Sequence, residues 1–270
     1  MPLTYKAMDF SKIKMVVSDM DGTLLNSNHE VSHRFFELFH KLREKGIQFV
    51  AASGRQYHSM VTKLDAVKDD VIFIAENGAI IREQENEISS TPLSQELVRK
   101  LISKIQEIDD ASLMLCGKYT SFFDGSSSLF LNELIEYYSN YKVVDNFHTI
   151  EEEIVKIAVY HGISSEDFLY PEIQHFSKEV LPKVSGKYWL DINHIQAHKG
   201  NALKKVMEVK NIASHEILVF GDYLNDLEML DLVDHSFAMA NAHEQVKSTA
   251  NFSTASNDDF GVEKVLEQLI

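Results

Sequence analysis

A short apolar run, Ile13-Lys14-Met15-Val16-Val17-Ser18, ends in two carboxylates two residues apart, Asp19-Met20-Asp21-Gly22-Thr23. The run is brief and β-branched, so it reads as a buried strand. An amphipathic stretch follows, with Phe35, Leu38, Phe39 and Leu42 at helical spacing, Ser32 able to cap its start and Gly46 marking its end. A second apolar run, Ile47-Gln48-Phe49-Val50-Ala51-Ala52, comes directly after it. Strand, helix and strand in that order imply a right-handed crossover and a parallel pair. In an open α/β sheet, ligands bind beyond the carboxyl ends of the strands. Topology therefore puts Asp19 and Asp21 where chemistry is done, and Gly22 lets the chain turn there without a Cβ clash.

Two carboxylates at a strand tip suit phosphoryl chemistry. One can attack phosphorus and form an aspartyl phosphate, which divides one hard displacement into two easier ones; the other can handle the proton. Two anions would repel a phosphate, so this reading demands a cation, most naturally Mg2+ held by carboxylate, phosphate and water oxygens. Asp-Gly is also an ordinary turn signal, and the pentapeptide by itself leaves a turn or capping role equally open.

The other strand tips carry further polar groups. Ser53-Gly54-Arg55 ends the second run and opens a helical stretch, a plausible phosphate cradle that could equally be a Ser-Gly turn. The third run, Val71-Ile72-Phe73-Ile74-Ala75, leads into Glu76-Asn77-Gly78-Ala79, where Asn-Gly signals a tight turn. Lys199 in His198-Lys199-Gly200 stands at a helix start, the unfavourable end of the macrodipole for a cation, and a bound anion would explain it. The run Ile217-Leu218-Val219-Phe220 enters Gly221-Asp222-Tyr223-Leu224-Asn225-Asp226. Asp222 can supply a metal oxygen, and Asn225 and Asp226 are close enough to share in phosphate, metal-water or lysine contacts; Asp226 could instead cap the helix that follows. His194 and His198 have i,i+4 spacing, but the helix is expected to begin after them, which disfavours a zinc role.

Between residues 83 and 190 the texture changes to short strands and helices rich in aromatic residues. A helix carries Val98, Leu101, Ile102, Ile105 and Ile108 on one face, and another is expected near Phe130 to Tyr138. Strands are expected at 113–116, 120–123, 154–160 and 188–192, with a helix at 166–176. The expected architecture is a doubly wound parallel α/β core, residues 1–82 and 191–270, with an α+β unit inserted at 83–190.

Of 270 residues, 44% are apolar, enough for a sizeable core, and the formal net charge of -15 argues against nucleic acid or an anionic membrane as partner. The single cysteine, Cys116, excludes an internal disulfide and fits a reducing compartment. With no long apolar run or signal segment, the chain is expected to be cytosolic and complete as written. Monomer and dimer both remain open.

Four strand-end motifs in this order resemble the haloacid dehalogenase superfamily of phosphohydrolases, and the large insert is most similar to the cap of its Cof-type subfamily. The resemblance runs from residue 14 to the C-terminus and implies a Rossmann-like core. It implies Asp19 as nucleophile and Mg2+ ligand, Asp21 as general acid and base whose backbone carbonyl also binds the metal, and Asp222 as the remaining protein ligand. Ser53, with the amides of Met20 and Gly54, would hold the phosphoryl oxygens. Lys199 would neutralise charge and Asn225 would contact phosphate. Thr23 and Asp226 would support the site, Asp226 through Lys199 or a metal-bound water. The implied function is a Mg2+-dependent phosphatase for a small phosphorylated metabolite, a sugar phosphate or a phosphorylated cofactor. A phosphomutase and a non-catalytic sensor of a phosphorylated ligand are the alternatives. Tyr188, Trp189 or the Cys116-Gly117-Lys118 turn is expected to contribute specificity.

Overall fold

A computed structural model describes residues 10–125, 138 and 140–270; the helix expected near Phe130 to Tyr138 lies, apart from Tyr138 itself, outside the described residues. The chain opens with strands β1 (Met15–Asp19), β2 (Gln48–Ala52), β3 (Val71–Ala75), β4 (Ile80–Glu83) and β5 (Asn86–Ser90). It continues with β6 (Ala111–Gly117), β7 (Ser121–Phe123), β8 (Tyr141–Val143), β9 (Ile154–His161), β10 (Val180–Val184) and β11 (Trp189–His194). The last strands are β12 (Ile217–Gly221), β13 (His235–Ala238) and β14 (Phe252–Ser253). They form an eight-stranded sheet, β14-β13-β12-β1-β2-β3-β4-β5, and a six-stranded sheet, β10-β11-β9-β6-β7-β8.

In the larger sheet, all pairs from β14 to β3 are parallel, and β4 and β5 fold back as an antiparallel hairpin. Every residue of β1 is buried, as expected of a strand covered on both faces. The helix His33–Glu44, whose Phe35, Leu38, Phe39 and Leu42 are buried, packs on the neighbouring β2. Ser32 Oγ caps it by accepting from the Phe35 amide at 3.0 Å, and the Phe35 ring meets Phe49 of β2 edge-on at 5.0 Å. Register then decides what the sheet presents. Asp19 lies beside Ala52 on β2, and Ser18 lies beside Phe220 on β12. The loops beginning at Ser53 and Asp222 therefore flank Asp19 at one edge.

The crossings between the sheets fall after Ser90 and after His194, not at 83 and 190, because the β4–β5 hairpin extends the larger sheet and β11 completes the smaller one. The helix expected over 166–176 is broken into Ser165–Phe168, Tyr170–Ile173 and a 3-10 turn at Gln174–Phe176. Pro171 has no amide with which to continue a helix from the preceding turn. Strand β10 contains Pro182, which is tolerated because β10 is an edge strand.

Candidate active site

The tip of β1 delivers Asp19, which is almost completely buried. Lys199, the first residue of the helix Lys199–Lys210, is 0% exposed, and its Nζ donates to Asp19 Oδ1 at 2.5 Å and to Asp226 Oδ1 at 2.6 Å. Burial alone would favour the neutral amine, but the two carboxylates outweigh it and hold Lys199 above its ordinary range. Asp19 is raised well above the usual carboxylate range, by burial first and then by the charge of Asp226, with Lys199 opposing both.

Asp226 spends its other oxygen on the loop: Oδ2 accepts from the amides of Asp222 at 3.0 Å and Tyr223 at 3.2 Å. This fixes the approach of Asp222, whose Oδ1 also accepts from Thr23 Oγ1 at 3.1 Å. Gly22 has φ +76°, and a Cβ there would run into the Asp222 carboxylate. Both facts require glycine. Gly22→Ala is expected to destabilise the fold by about 1–3 kcal/mol through backbone strain and the displaced carboxylate, read as a lower denaturant midpoint; an unchanged midpoint would contradict this geometry.

Carboxylate oxygens of Asp19, Asp222 and Asp226 lie within 4.8 Å of one another. Three acids against one lysine leave an excess of negative charge, and hard oxygens so placed fit a divalent cation such as Mg2+. Since Asp226 already uses both oxygens, Asp19 and Asp222 are the side chains with room for it. Burial, then the charge of Asp226, has pushed the Asp222 carboxyl up to about 7.

Asp21 is gripped from the side by Arg55, whose Nε donates to Oδ2 at 2.7 Å and whose terminal nitrogen donates to Oδ1 at 2.6 Å. Arg55 is buried and also reaches Ser59 Oγ at 3.3 Å, while the His29 ring stands 3.4 Å from Asp21 Oδ1. Ser53 Oγ accepts from the Arg55 amide at 3.1 Å, which tightens the cradle loop. The Met20 side chain is buried, and its carbonyl accepts from the amides of Thr23 at 3.2 Å and Leu25 at 2.8 Å. Asn225 Nδ2 donates to Asn77 Oδ1 at 3.1 Å, beside Gly54.

Above these groups is a cavity of about 480 Å³, with Asp19, Ser53 and Asp222 in its floor and Lys156, Trp189 and Asp191 of the smaller sheet in its roof. A cleft of about 600 Å³ beside the crossings, lined by Pro92, Lys178 and His194 among others, is larger but is not lined by Asp19, Asp21 or Asp222. The expected site residues Asp19, Asp21, Ser53, Gly54, Asp222 and Asn225 line the smaller cavity, while Lys199 and Asp226 lie buried beneath it.

His194 and His198 each use Nδ1 locally. Their Nδ1 atoms accept from the amides of Gln196 at 3.1 Å and Asn201 at 3.3 Å, which makes His198 the helix cap. Of the residues suggested for specificity, Trp189 lines the cavity, whereas Tyr188 packs against Tyr160 and Lys118 pairs with Glu87 at 2.9 Å and Glu153 at 3.2 Å. The sequence reading missed Asn77, Lys156 and Asp191. The last two carried a signal, since each interrupts an otherwise apolar strand, Ile154-Val155-Lys156-Ile157 and Leu190-Asp191-Ile192.

A family model described as haloacid dehalogenase-like hydrolase matches residues 16–266. A 5-amino-6-(5-phospho-D-ribitylamino)uracil phosphatase of Escherichia coli is 28% identical over 265 residues, 96% of each chain. An HMP-PP phosphatase of Citrobacter koseri is 28% identical over 241 residues, 86% of each chain. A crystal structure from Streptococcus mutans superposes with a TM-score of 0.87 at 30% identity, covering 95% of this chain and 98% of the other.

Proposed function

This chain belongs to the haloacid dehalogenase-like hydrolases and is a phosphomonoesterase, and we propose that it is Mg2+-dependent and removes phosphate from a small phosphorylated metabolite through an aspartyl phosphate on Asp19. The arrangement of Lys199 between Asp19 and Asp226, with Asp222 against Asp19 beneath a cavity, carries this reading.

An Asp19 oxygen attacks phosphorus, and Asp21 gives its proton to the departing alkoxide oxygen. Asp21 then takes a proton from the water that attacks the phosphoryl-enzyme, and Asp19 is released with inorganic phosphate. Ser53, Asn225 and the amides of Met20 and Gly54 hold the phosphoryl oxygens, and Lys199 offsets the charge gathered beside Asp19. Asp19, Asp222 and the backbone carbonyl of Asp21 would hold Mg2+, which supplies positive charge to the transferring group. Thr23 keeps Asp222 in place, and Arg55 orients Asp21. The unit formed by the smaller sheet acts as the cap over the substrate. The names of the relatives support a small phosphorylated metabolite as substrate.

The test is turnover of p-nitrophenyl phosphate with Mg2+ and with EDTA. Metal-dependent release is expected; no turnover across a broad panel of phosphate esters would replace the enzyme with a sensor. Proton and cation compete for Asp222, whose carboxyl is pushed up to about 7. A carboxyl raised in this way holds its proton at lower pH, so the Mg2+ concentration giving half-maximal activity is expected to rise between about pH 8 and about pH 6. A flat titration over that interval would remove Asp222 from the metal.

A further inference from the structure

The roof of the cavity carries a charge pattern that the phosphoryl chemistry does not use. Lys156 on β9 is 2% exposed; its Nζ lies 2.6 Å from Glu76 Oε2 and donates to the Gly54 carbonyl at 2.8 Å. Glu76 is therefore the near partner of this lysine. Asp191 on β11 stands farther off, with Oδ2 at 3.8 Å from the same nitrogen. One lysine faces two carboxylates, and Asp191 is the carboxylate of the two that lines the cavity.

Asp191 is only 6% exposed, so its hydrogen bonds can be followed one by one. Oδ2 accepts from Asn77 Nδ2 at 2.9 Å. Oδ1 receives no hydrogen bond from the described residues. It is therefore open to the cavity that Asp191 lines, where water or a ligand group can donate to it. Its distance from the reacting end also fits. Asn77 joins Asp191 to Asn225 through the 3.1 Å contact, so this acceptor sits one residue beyond the groups that hold phosphate. Trp189, packed edge-on against Tyr160 at 5.3 Å, provides apolar surface on the same wall.

We propose that Asp191 selects the leaving group: Oδ1 accepts a hydrogen bond from a hydroxyl or amino group of an uncharged leaving group, and its charge turns away substrates whose leaving group carries a second phosphate. The substrate class is thus a donor-rich monophosphate, such as a polyol or sugar monophosphate. This rests on the phosphatase reading above and deepens it.

Matched esters separate the two. With Mg2+ present, kcat/KM is measured for glucose 6-phosphate against glucose 1,6-bisphosphate, for fructose 6-phosphate against fructose 1,6-bisphosphate, and for p-nitrophenyl phosphate. The wild-type protein is expected to prefer each monophosphate by about tenfold or more. Asp191→Asn, which keeps the shape and removes the charge, is expected to lower that ratio at least about fivefold, and Asp191→Ala to lower it as well. A wild-type ratio at or below one, or a ratio that both variants leave untouched, overturns the proposal while p-nitrophenyl phosphate turnover keeps the phosphatase reading. Loss of turnover on every ester in the wild-type protein overturns both.

Discussion

Asparagine in place of Asp19 is expected to lower phosphate-ester turnover by at least about a thousandfold while leaving the fold as stable as before or more so. The amide matches the carboxylate in shape and can still accept from Lys199, but it cannot attack phosphorus. Stability should move the other way. Burial and the charge of Asp226 raise the Asp19 carboxyl well above its ordinary range. A carboxyl raised by folding prefers its proton in the folded state, so ionising it at neutral pH costs stability. That cost is absent at pH values below the unfolded-state range and grows as pH rises toward the raised value. Asparagine removes the cost, and Lys199 keeps Asp226 as its partner. Activity with Mg2+ and melting temperature in EDTA, measured on one preparation, check both halves. A melting temperature that falls along with activity would mean that the Asp19–Lys199 bond supports the fold more than the crowded charges strain it.

The sequence made the floor of this site readable because strand periodicity and crossover topology act locally. The run before Asp19 and the runs before Ser53 and Asp222 each announce a strand, and parallel pairing brings their tips together without any knowledge of side-chain contacts. The roof was harder to read for a physical reason. Lys156 and Asp191 sit in the interiors of β9 and β11, and their roles exist only because one sheet packs over the other. Arg55 stands in the Ser53-Gly54-Arg55 turn that the sequence marks, but its grip on Asp21, 34 residues away, does not follow from spacing. Edge strand β10 was missed because Pro182 argues against a strand until an edge position is known. The positive φ angles of Glu76 and Asn77 likewise go with tertiary contacts, Glu76 lying against Lys156 and Asn77 against Asp191.

Methionine in place of Lys199 is expected to be the most destabilising single change near the site. It would leave Asp19 and Asp226 buried, side by side, without their cation, and breaking a buried pair in this way costs about 3–5 kcal/mol. In a chain of this size that corresponds to a melting temperature lower by on the order of 10 °C. The amine's own titration gives the same sign: its pKa is raised by folding, so it stabilises the fold below its ordinary range and that contribution is lost only as pH rises beyond it. At neutral pH the full contribution is present to be lost. Adding Asp226→Asn to the methionine variant should recover part of the stability, because the amide removes one of the two uncompensated charges and can still accept from the amides of Asp222 and Tyr223. Activity should not return with it, since nothing would offset the charge beside the nucleophile. Thermal melts of both variants in EDTA, set beside their turnover with Mg2+, distinguish this account from a packing defect. If the second substitution lowers the melting temperature further, the destabilisation comes from the missing side-chain volume and the charge argument fails.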